Sequence, residues 1–432
     1  MLQVIHEPPV TEWPALLQRP VYDAGTLLAS VSKVLEDVRE NGDAALYRLT
    51  EQFDKVALQH FAVSEQETAA AIEQVDAALK EALQLAKDNL QRFHQQQLHN
   101  EPGVETLPGV RCWRKMVPIE KVGLYIPGGT APLFSTILML GVPAKLAGCS
   151  DIILCTPPGK DGKVHPAILY TARLAGITRI FKVGGAQAIA AMAYGTETIP
   201  QVYKIFGPGN QYVTAAKQLV QQQGVAIDMP AGPSEVCVLA DATAHPAFVA
   251  ADLLSQAEHG NDSQVLLVST SQQLVAAVQH ELQQQLLQLP RKELATAALK
   301  NSKAITLEKM EDALALVNAY AAEHLIISCA HAEALAANIR NAGSVFIGNY
   351  SPESAGDYAS GTNHTLPTNG YARAYSGVSV DSFVKKITYQ QLTETGIAAL
   401  GNAVITMARA EGLEAHARAV EIRLQHITAK NA

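Results

Sequence analysis

The pattern of apolar and polar positions predicts helices in the N-terminal part of the chain. Apolar side chains recur every three or four residues over Val31–Leu49 and again over Glu65–Phe93. This spacing places them on one face of a helix, because one helical turn takes about 3.6 residues. Each stretch is therefore predicted to be a helix that packs through one apolar face.

From about residue 119 the pattern changes, and short apolar runs alternate with helical stretches. Such alternation predicts parallel strands, because consecutive parallel strands are connected by crossovers that are usually helical. Two sets of runs, separated near Pro233, indicate two α/β units of similar design. The candidate strands are Val122–Ile126, Ile152–Cys155, Ile180–Val183, Ile205–Phe206 and Val225–Ile227 in the first set, and Glu235–Leu239, Gln264–Val268, Leu325–Ser328 and Val345–Ile347 in the second.

These patterns predict an α/β protein with a helical N-terminal segment and a helical C-terminal tail. We expect the leading helices to pack with the second α/β unit, which makes that domain discontinuous in sequence. The tail is helical from about residue 380 and is expected to cross to a partner subunit. The expected divisions are an N-terminal segment, 1–20; a helical segment, 21–118, packed with 236–375; an α/β domain, 119–235; and the tail, 376–432.

Composition and charge argue against several classes of protein. Hydrophobic residues make up 48% of the chain, which is enough for large buried cores. The net charge is −8, and no basic tract is interleaved with aromatic residues, so we expect no nucleic-acid partner. The longest uncharged apolar stretch, Ala131–Ala144, is interrupted by two prolines and is too short to span a bilayer. Without a secretory signal pattern, the protein is predicted to be cytoplasmic.

The five cysteines indicate neither a disulfide framework nor a thiolate zinc site. Their number is odd, and no C-x-x-C motif occurs. Most lie in or beside apolar runs, as Cys155 does. They are predicted to be buried, inert thiols.

Glycine-rich turns follow three of the predicted strands. They are Pro127–Gly129, Val183–Gln187 and Phe206–Asn210, whereas the usual G-x-G-x-x-G dinucleotide motif is absent. One such turn is explained by tight backbone geometry alone. Three at the carboxyl edge of one sheet favour a binding site for phosphate or ribose, because ligands bind at that edge in open α/β folds.

A polar helix end contains candidate metal ligands. Gln256 and His259 are three residues apart, so they share a face of the last turn, where the helix dipole favours a cation. A histidine here is more often a simple cap, so other ligands are needed. The polar loop Pro352–Gly361 and the segment Glu411–His416, in which Gly412 would break the helix, both supply candidates. Nitrogen and oxygen ligands without thiolate fit zinc or another divalent ion.

Glu323 and His324 are candidates for acid–base chemistry. They precede the predicted strand Leu325–Ser328, and neighbours on an extended chain point to opposite sides. A surface carboxylate beside a partly buried histidine is one interpretation. At a strand end beside a cleft, both side chains reach a substrate, and histidine accepts protons readily near neutral pH.

Over nearly its whole length the chain closely resembles the histidinol dehydrogenases. The segments that carry the resemblance are VGLYIPGG (122–129), VGGAQAIAA (183–191), FGPGN (206–210), IDMPAGPSEV (227–236), DLLSQAEHG (252–260), AEHLII (322–327), SPESAGDYASGTNH (351–364) and AEGLEAH (410–416). The resemblance implies two Rossmann-like parallel-sheet domains that lack the usual glycine motif. It also implies a homodimer in which the tail of one subunit completes the site of the other.

The resemblance assigns roles to individual residues. The catalytic pair would be Glu323 and His324. One zinc ion per subunit would be bound by Gln256, His259, Asp357 and His416. Substrate contacts would be Ser234, Gln256, His259, His324, Asp357, Glu411 and His416, and NAD contacts would be Tyr125, Gln187 and Asn210.

The implied reaction is the four-electron oxidation of L-histidinol to L-histidine through the aldehyde, with two NAD. Zinc would anchor the amino alcohol, His324 would act as general base, and Glu323 would activate water for the second oxidation.

Three alternatives remain open at the level of sequence. An aldehyde dehydrogenase-like enzyme would need a reactive thiol, for which Cys112 and Cys149 are the candidates outside clear strands. A two-lobed binding protein would have no use for Glu323 and His324. A related dehydrogenase acting on another alcohol is the third, although the Glu411 carboxylate suits an imidazole N–H.

Overall fold

The computed structural model describes residues 1–19, 24–99, 101–128 and 132–431, so Gly129 of the first glycine-rich turn lies outside the described residues. The α-helices within these ranges are α1 Trp13–Leu16, α2 Ala24–Asp54, α3 Glu65–Ile72, α4 Ala77–Gln95, α5 Phe134–Ala147, α6 Pro166–Leu174, α7 Gly185–Tyr194, α8 Gln211–Gln222, α9 Pro246–Ala257, α10 Gln272–Leu286, α11 Lys292–Lys300, α12 Met310–Tyr320, α13 Ala332–Ala336, α14 Glu353–Tyr358, α15 Glu394–Ala410 and α16 Glu414–Asn431. The strands are β1 Gln3–His6, β2 Val104–Leu107, β3 Val110–Pro118, β4 Lys121–Tyr125, β5 Asp151–Thr156, β6 Arg179–Lys182, β7 Lys204–Phe206, β8 Ala226–Ile227, β9 Glu235–Ala240, β10 Gln264–Ser269, β11 Lys303–Thr306, β12 His324–Ser328, β13 Ser344–Ile347 and β14 Val384–Leu392.

The chain forms two compact units. The first contains residues 1–97 and 119–382, and the second contains residues 98–118 and 383–432. Among the described residues, no helix is both long enough and apolar enough to cross a membrane.

The first unit contains a five-stranded parallel sheet in the order β6-β5-β4-β7-β8. Counted from β4, this is the 3-2-1-4-5 order of a dinucleotide-binding domain. From Ile152 onward every residue of β5 is buried, as expected for a central parallel strand covered on both faces.

A second, six-stranded parallel sheet in the same unit has the order β1-β11-β10-β9-β12-β13. Counted from β9, it repeats the 3-2-1-4-5 order, and β1 extends its edge. The predicted α/β fold with two parallel sheets of similar design is therefore confirmed. The short strands β1 and β11 were not predicted, because neither has the long apolar run of the central strands.

Helices α2, α3 and α4 pack on helices of the five-stranded sheet, not with residues 236–375 as expected. Helix α2 contacts α7 and α8, and Val31 and Leu46 join the same core as Ile189. The reason is that the six-stranded sheet is already covered, by α9, α10 and α11 on one face and by α1 and α12 on the other. The remaining apolar face of α2 is buried against the first sheet instead.

The second unit is not wholly helical, which corrects the prediction for residues 376–432. Strand β14 pairs antiparallel with β3, and β3 pairs with β2, so the expected helical segment 21–118 also contains two strands. Most residues of β14 are exposed, and so its sequence lacks the one-sided apolar alternation that identifies a strand. Helices α15 and α16 pack together, with Gly412 at φ +75° between them.

Candidate active site

Glu323 and His324 lie at the amino edge of the six-stranded sheet. Glu323 directly precedes β12, His324 is its first residue, and both are buried. The backbone of Glu235, at the start of the neighbouring strand β9, contacts both side chains. Its N–H donates to Glu323 Oε2 at 2.9 Å, and its carbonyl oxygen lies 3.4 Å from His324 Nδ1. One backbone segment thus orients both candidate catalytic groups.

The electrostatic setting favours a proton on His324. Burial opposes charge on the ring, but the carboxylates of Glu323 and Asp357 outweigh it and raise the pKa of His324 to about 10. Burial raises the pKa of Glu323 to about 8, although His324 acts in the opposite direction. His324 Nδ1 is 3.6 Å from Glu323 Oε2, and its Nε2 is 3.3 Å from Asp357 Oδ1. The pair is therefore coupled, and its imidazolium form is stabilised.

Gln256 and Asp357 present buried polar atoms whose hydrogen-bonding capacity is not satisfied within the protein. Gln256, in the last turn of α9, is 1% exposed, and neither its Oε1 nor its Nε2 has a hydrogen-bond partner. Asp357 Oδ1 is also buried without a properly aligned hydrogen bond, on helix α14, which packs against α9. His259 follows α9 and is exposed. Because unpaired buried acceptors are uncommon, these oxygens fit a site for a bound cation.

The first unit does not supply the full set of ligands that the sequence implies. Among the described residues, no group of three or more His, Cys, Asp or Glu side chains is arranged to hold a metal ion. The fourth implied ligand, His416, belongs to the second unit, as does Glu411. Both are exposed, on either side of Gly412. The structure brings Glu323, His324 and Asp357 together, whereas the shared zinc site stays a prediction.

Two further titratable groups, in and just after the polar segment 352–361, have shifted pKa values. Glu353 is 1% exposed, accepts a hydrogen bond from Ser255 Oγ at 2.7 Å, and burial raises its pKa to about 8. His364 is half-buried, and desolvation lowers its pKa to about 4. The segment 352–361 was expected to be a loop, but α14 forms there. Glu353 and Asp357, four residues apart, consequently share one helix face.

Glu235 is itself fixed by a buried ion pair. Arg19 Nε lies 2.7 Å from Glu235 Oε2, and Arg19 Nη2 lies 3.0 Å from Oε1. The Tyr320 hydroxyl donates to the same carboxylate at 3.2 Å. A bidentate guanidinium–carboxylate pair is geometrically well defined. The backbone segment that contacts Glu323 and His324 is thereby anchored from the N-terminal segment.

Tyr125, Gln187 and Asn210 line one cavity at the carboxyl edge of the five-stranded sheet. Its volume is about 1450 Å³, larger than the roughly 300–1,000 Å³ of typical small-ligand pockets. The Tyr125 hydroxyl accepts a hydrogen bond from the Gly185 N–H at 3.0 Å. Asn210 Oδ1 caps α8 by accepting from two backbone N–H groups. The three residues that the sequence assigned to cofactor binding therefore share one cavity, and its occupant stays a prediction.

Gly207 shows why one of those turns requires glycine. It has φ +130°, and an added Cβ would lie 2.0 Å from the Tyr125 carbonyl oxygen. Its N–H donates to Asp228 Oδ2 at 2.8 Å, and its carbonyl oxygen accepts from Lys217 Nζ at 2.9 Å. The buried Lys217–Asp228 pair therefore holds the turn that ends at Asn210.

The buried cysteines, among them the candidate Cys149, do not provide an activated nucleophile. All five are free thiols, and all except Cys112 are buried. Burial raises the pKa of Cys149 to about 11 and that of Cys329 to about 12. A nucleophilic cysteine needs a lowered pKa. This environment argues against the thiol-dependent alternative.

Comparisons with known proteins show which family this chain resembles over nearly its whole length. A family model described as histidinol dehydrogenase matches residues 17–424. A histidinol dehydrogenase of Bacteroides fragilis (strain YCH46) is 58% identical over 426 residues, covering 99% of this chain and 100% of that protein. One from Xanthomonas euvesicatoria pv. vesicatoria (strain 85-10) is 55% identical over 410 residues, covering 94% and 95%.

A solved structure is similar over the same length. The crystal structure of histidinol dehydrogenase from Elizabethkingia anophelis has a TM-score of 0.97 and 56% sequence identity, and the match covers 99% of each chain. The described fold is thus that of a known enzyme structure, including both parallel sheets.

Proposed function

The chain belongs to the histidinol dehydrogenase family, and we propose that it oxidises L-histidinol to L-histidine in two NAD-dependent steps. The observation that carries the proposal is the buried Glu323–His324 pair, which contacts Asp357 on α14, together with the unpartnered side-chain amide of Gln256 on α9, the helix against which α14 packs. The alcohol loses one hydride to give L-histidinaldehyde. Water then adds to the aldehyde, and the hydrate loses a second hydride to give the carboxylate. One histidinol and one water thus yield one histidine, two NADH and three protons.

Gln256, His259 and Asp357 would bind zinc together with His416 from the partner subunit of a homodimer. The unpartnered Gln256 oxygen and the Asp357 carboxylate support this assignment, because nitrogen and oxygen donors suit zinc in an open site. Bound zinc would supply an anchor for the nitrogens of the substrate. Ser234 and the partner's Glu411 would add contacts, with the Glu411 carboxylate accepting the imidazole N–H.

His324 acts as the general base in both oxidations. The carboxylates of Glu323 and Asp357 raise the pKa of His324 to about 10 without a bound metal, and a cation held by Asp357 would offset part of this effect and favour the neutral ring that accepts a proton. Nδ1 of His324 lies near the Glu235 carbonyl oxygen. Nε2, which lies on the side of Asp357, is therefore the nitrogen that accepts the substrate proton. Glu323, whose raised pKa marks a carboxylate that readily holds a proton, activates the water that hydrates the aldehyde.

NAD occupies the cavity lined by Tyr125, Gln187 and Asn210. The cavity volume, the glycine-rich turns and the strand order support this placement. Bound NAD would accept the hydride in each oxidation. A two-lobed binding protein would not need a buried acid–base pair, so the Glu323–His324 pair favours a dehydrogenase over a binding protein.

Metal removal provides the test of the proposed site. Histidinol-dependent NADH formation should be lost after chelation and restored by zinc, because the substrate anchor is removed and replaced. His259→Asn should lower zinc occupancy and abolish turnover, with zinc measured by atomic absorption. His280→Asn, on the exposed face of α10, is the matched control and should keep both its zinc occupancy and its turnover. Full zinc content and full rate in His259→Asn would show that His259 is not a ligand.

Subunit complementation tests the shared site. His416→Asn and His259→Asn subunits should each be inactive as homodimers. Dissociating and re-associating a mixture should recover part of the activity, because a heterodimer would contain one intact site. Recovery is measured as NADH formation after separation of heterodimers by differential tagging. Inactive heterodimers would mean that each site is built from one chain.

A further inference from the structure

Asp54 presents a buried carboxylate oxygen without a partner in the wall of the proposed NAD cavity. It is the last residue of α2 and lines the cavity together with Tyr125 and Gln187. Its Oδ2 atom is buried and has no hydrogen-bond partner. Burial raises the pKa of Asp54 to about 6, with no cation acting against it. Asp54 also contributes to the raised pKa of Tyr125, which shows that the two groups are close.

Another carboxylate in the same wall has a different environment. Glu67 also lines the cavity, but both of its oxygens lie near Lys182 Nζ, at 3.3 Å and 3.2 Å. Its acceptor capacity is therefore used within the protein. Asp54, in contrast, keeps an acceptor that the free protein does not satisfy. Buried groups of this kind are rare in native proteins and commonly have a functional explanation.

The chemistry of a dinucleotide limits what Asp54 can contact. A carboxylate only accepts hydrogen bonds and repels phosphate, so its partner must be a donor. The vicinal hydroxyls of a ribose offer two adjacent donors, which match the two oxygens of one carboxylate. In the usual dinucleotide fold, an acidic residue after the second strand makes this contact.

That usual position carries no carboxylate in this chain. The second strand, β5, ends at Thr156 and is followed by Pro157 and Pro158. The next carboxylate in that connection, Asp161, accepts a hydrogen bond from the Lys163 N–H at 3.1 Å. Asp161 also lines the cavity, with its Oδ1 bonded to the chain, whereas Asp54 reaches the same cavity from α2 with a buried oxygen that has no partner.

We propose that Asp54 accepts hydrogen bonds from a ribose diol of the bound dinucleotide and so contributes to recognition of NAD. The inference rests on the proposed function, because it takes NAD to occupy this cavity. If the ribose is the adenine ribose, the carboxylate also disfavours the 2′-phosphate of NADP.

Binding of NADH measured by calorimetry tests the contact without any turnover. Asp54→Asn should weaken NADH binding about tenfold or more, because a charge-assisted pair of hydrogen bonds is lost. Glu67→Gln is the matched control and should bind NADH within about twofold of the wild type. In turnover with histidinol, Asp54→Asn should raise the KM for NAD and leave kcat within about threefold. Unchanged NADH affinity in Asp54→Asn would overturn the proposal.

Two further measurements separate the sources of the effect. Weaker binding of both ADP and ADP-ribose by Asp54→Asn would assign the adenine ribose, and the preference for NAD over NADP should then fall. Weaker binding of ADP-ribose alone would assign the other ribose.

The variant should melt no lower than the wild type, because the carboxylate has no partner to lose. A lower melting temperature with unchanged NADH affinity would indicate a structural role and overturn the proposal. A wild type that binds NADH but does not oxidise histidinol would contradict the proposed function and leave this contact intact.

Discussion

Replacement of His324 by asparagine is expected to slow both oxidations by roughly 10²–10⁴-fold, the usual cost of losing a general base. Asparagine has no basic nitrogen to replace Nε2 of His324, the atom that lies 3.3 Å from Asp357 Oδ1. The measurement is single-turnover NADH formation, started once from histidinol and once from histidinaldehyde. Both rates should fall by similar factors, because each step removes a proton from a hydroxyl group.

The matched control for this variant is His245→Asn. His245 is exposed at the N-terminus of α9, after the carboxyl end of β9, and asparagine is itself a good helix N-cap. This variant should keep both rates. If the His324→Asn enzyme has normal zinc content and keeps one of the two rates within a few-fold of the wild type, His324 is not the general base in that step.

Replacement of Glu323 by glutamine is expected to affect the two steps unequally. The amide cannot take a proton from water, but its oxygen still accepts the Glu235 N–H that now lies 2.9 Å from the carboxylate. Oxidation of added histidinaldehyde should fall by roughly 10²-fold or more. The first hydride transfer from histidinol should keep much of its rate.

The Glu323→Asp variant is the companion to this experiment. It keeps a carboxylate on a shorter side chain, and should therefore recover part of the aldehyde oxidation that glutamine loses. Equal damage to both steps by Glu323→Gln, with normal zinc content, would show that Glu323 supports the site in general and is not the hydration base.

The sequence predicted the central strands well because they are continuous apolar runs. Ile152–Cys155 and Leu325–Ser328 both lie in strands that are buried on two faces. Strand β14 was missed because its residues are mostly exposed and its partner, β3, is distant in sequence. The packing partner of α2 was also misjudged, since the apolar face of a helix does not identify the surface it covers.

Residues with distinctive chemistry were easier to identify than residues defined by their surroundings. Glu323, His324 and Asp357 were named from the sequence, and the structure brings them together. Glu353 and Asp54 each have one buried carboxylate oxygen without a partner, an environment that arises only when distant segments pack. Arg19 illustrates the same limit, because its pairing with Glu235 joins residues that are far apart in the chain.

The number of NADH molecules formed per histidinol consumed tests the central claim most directly. With limiting L-histidinol and excess NAD, NADH is followed by absorbance, and histidine and histidinaldehyde are quantified by chromatography. Two NADH and one histidine are expected for each histidinol, with no accumulation of free aldehyde. One NADH per histidinol with release of histidinaldehyde, or no NADH from histidinol by zinc-replete enzyme, would contradict it.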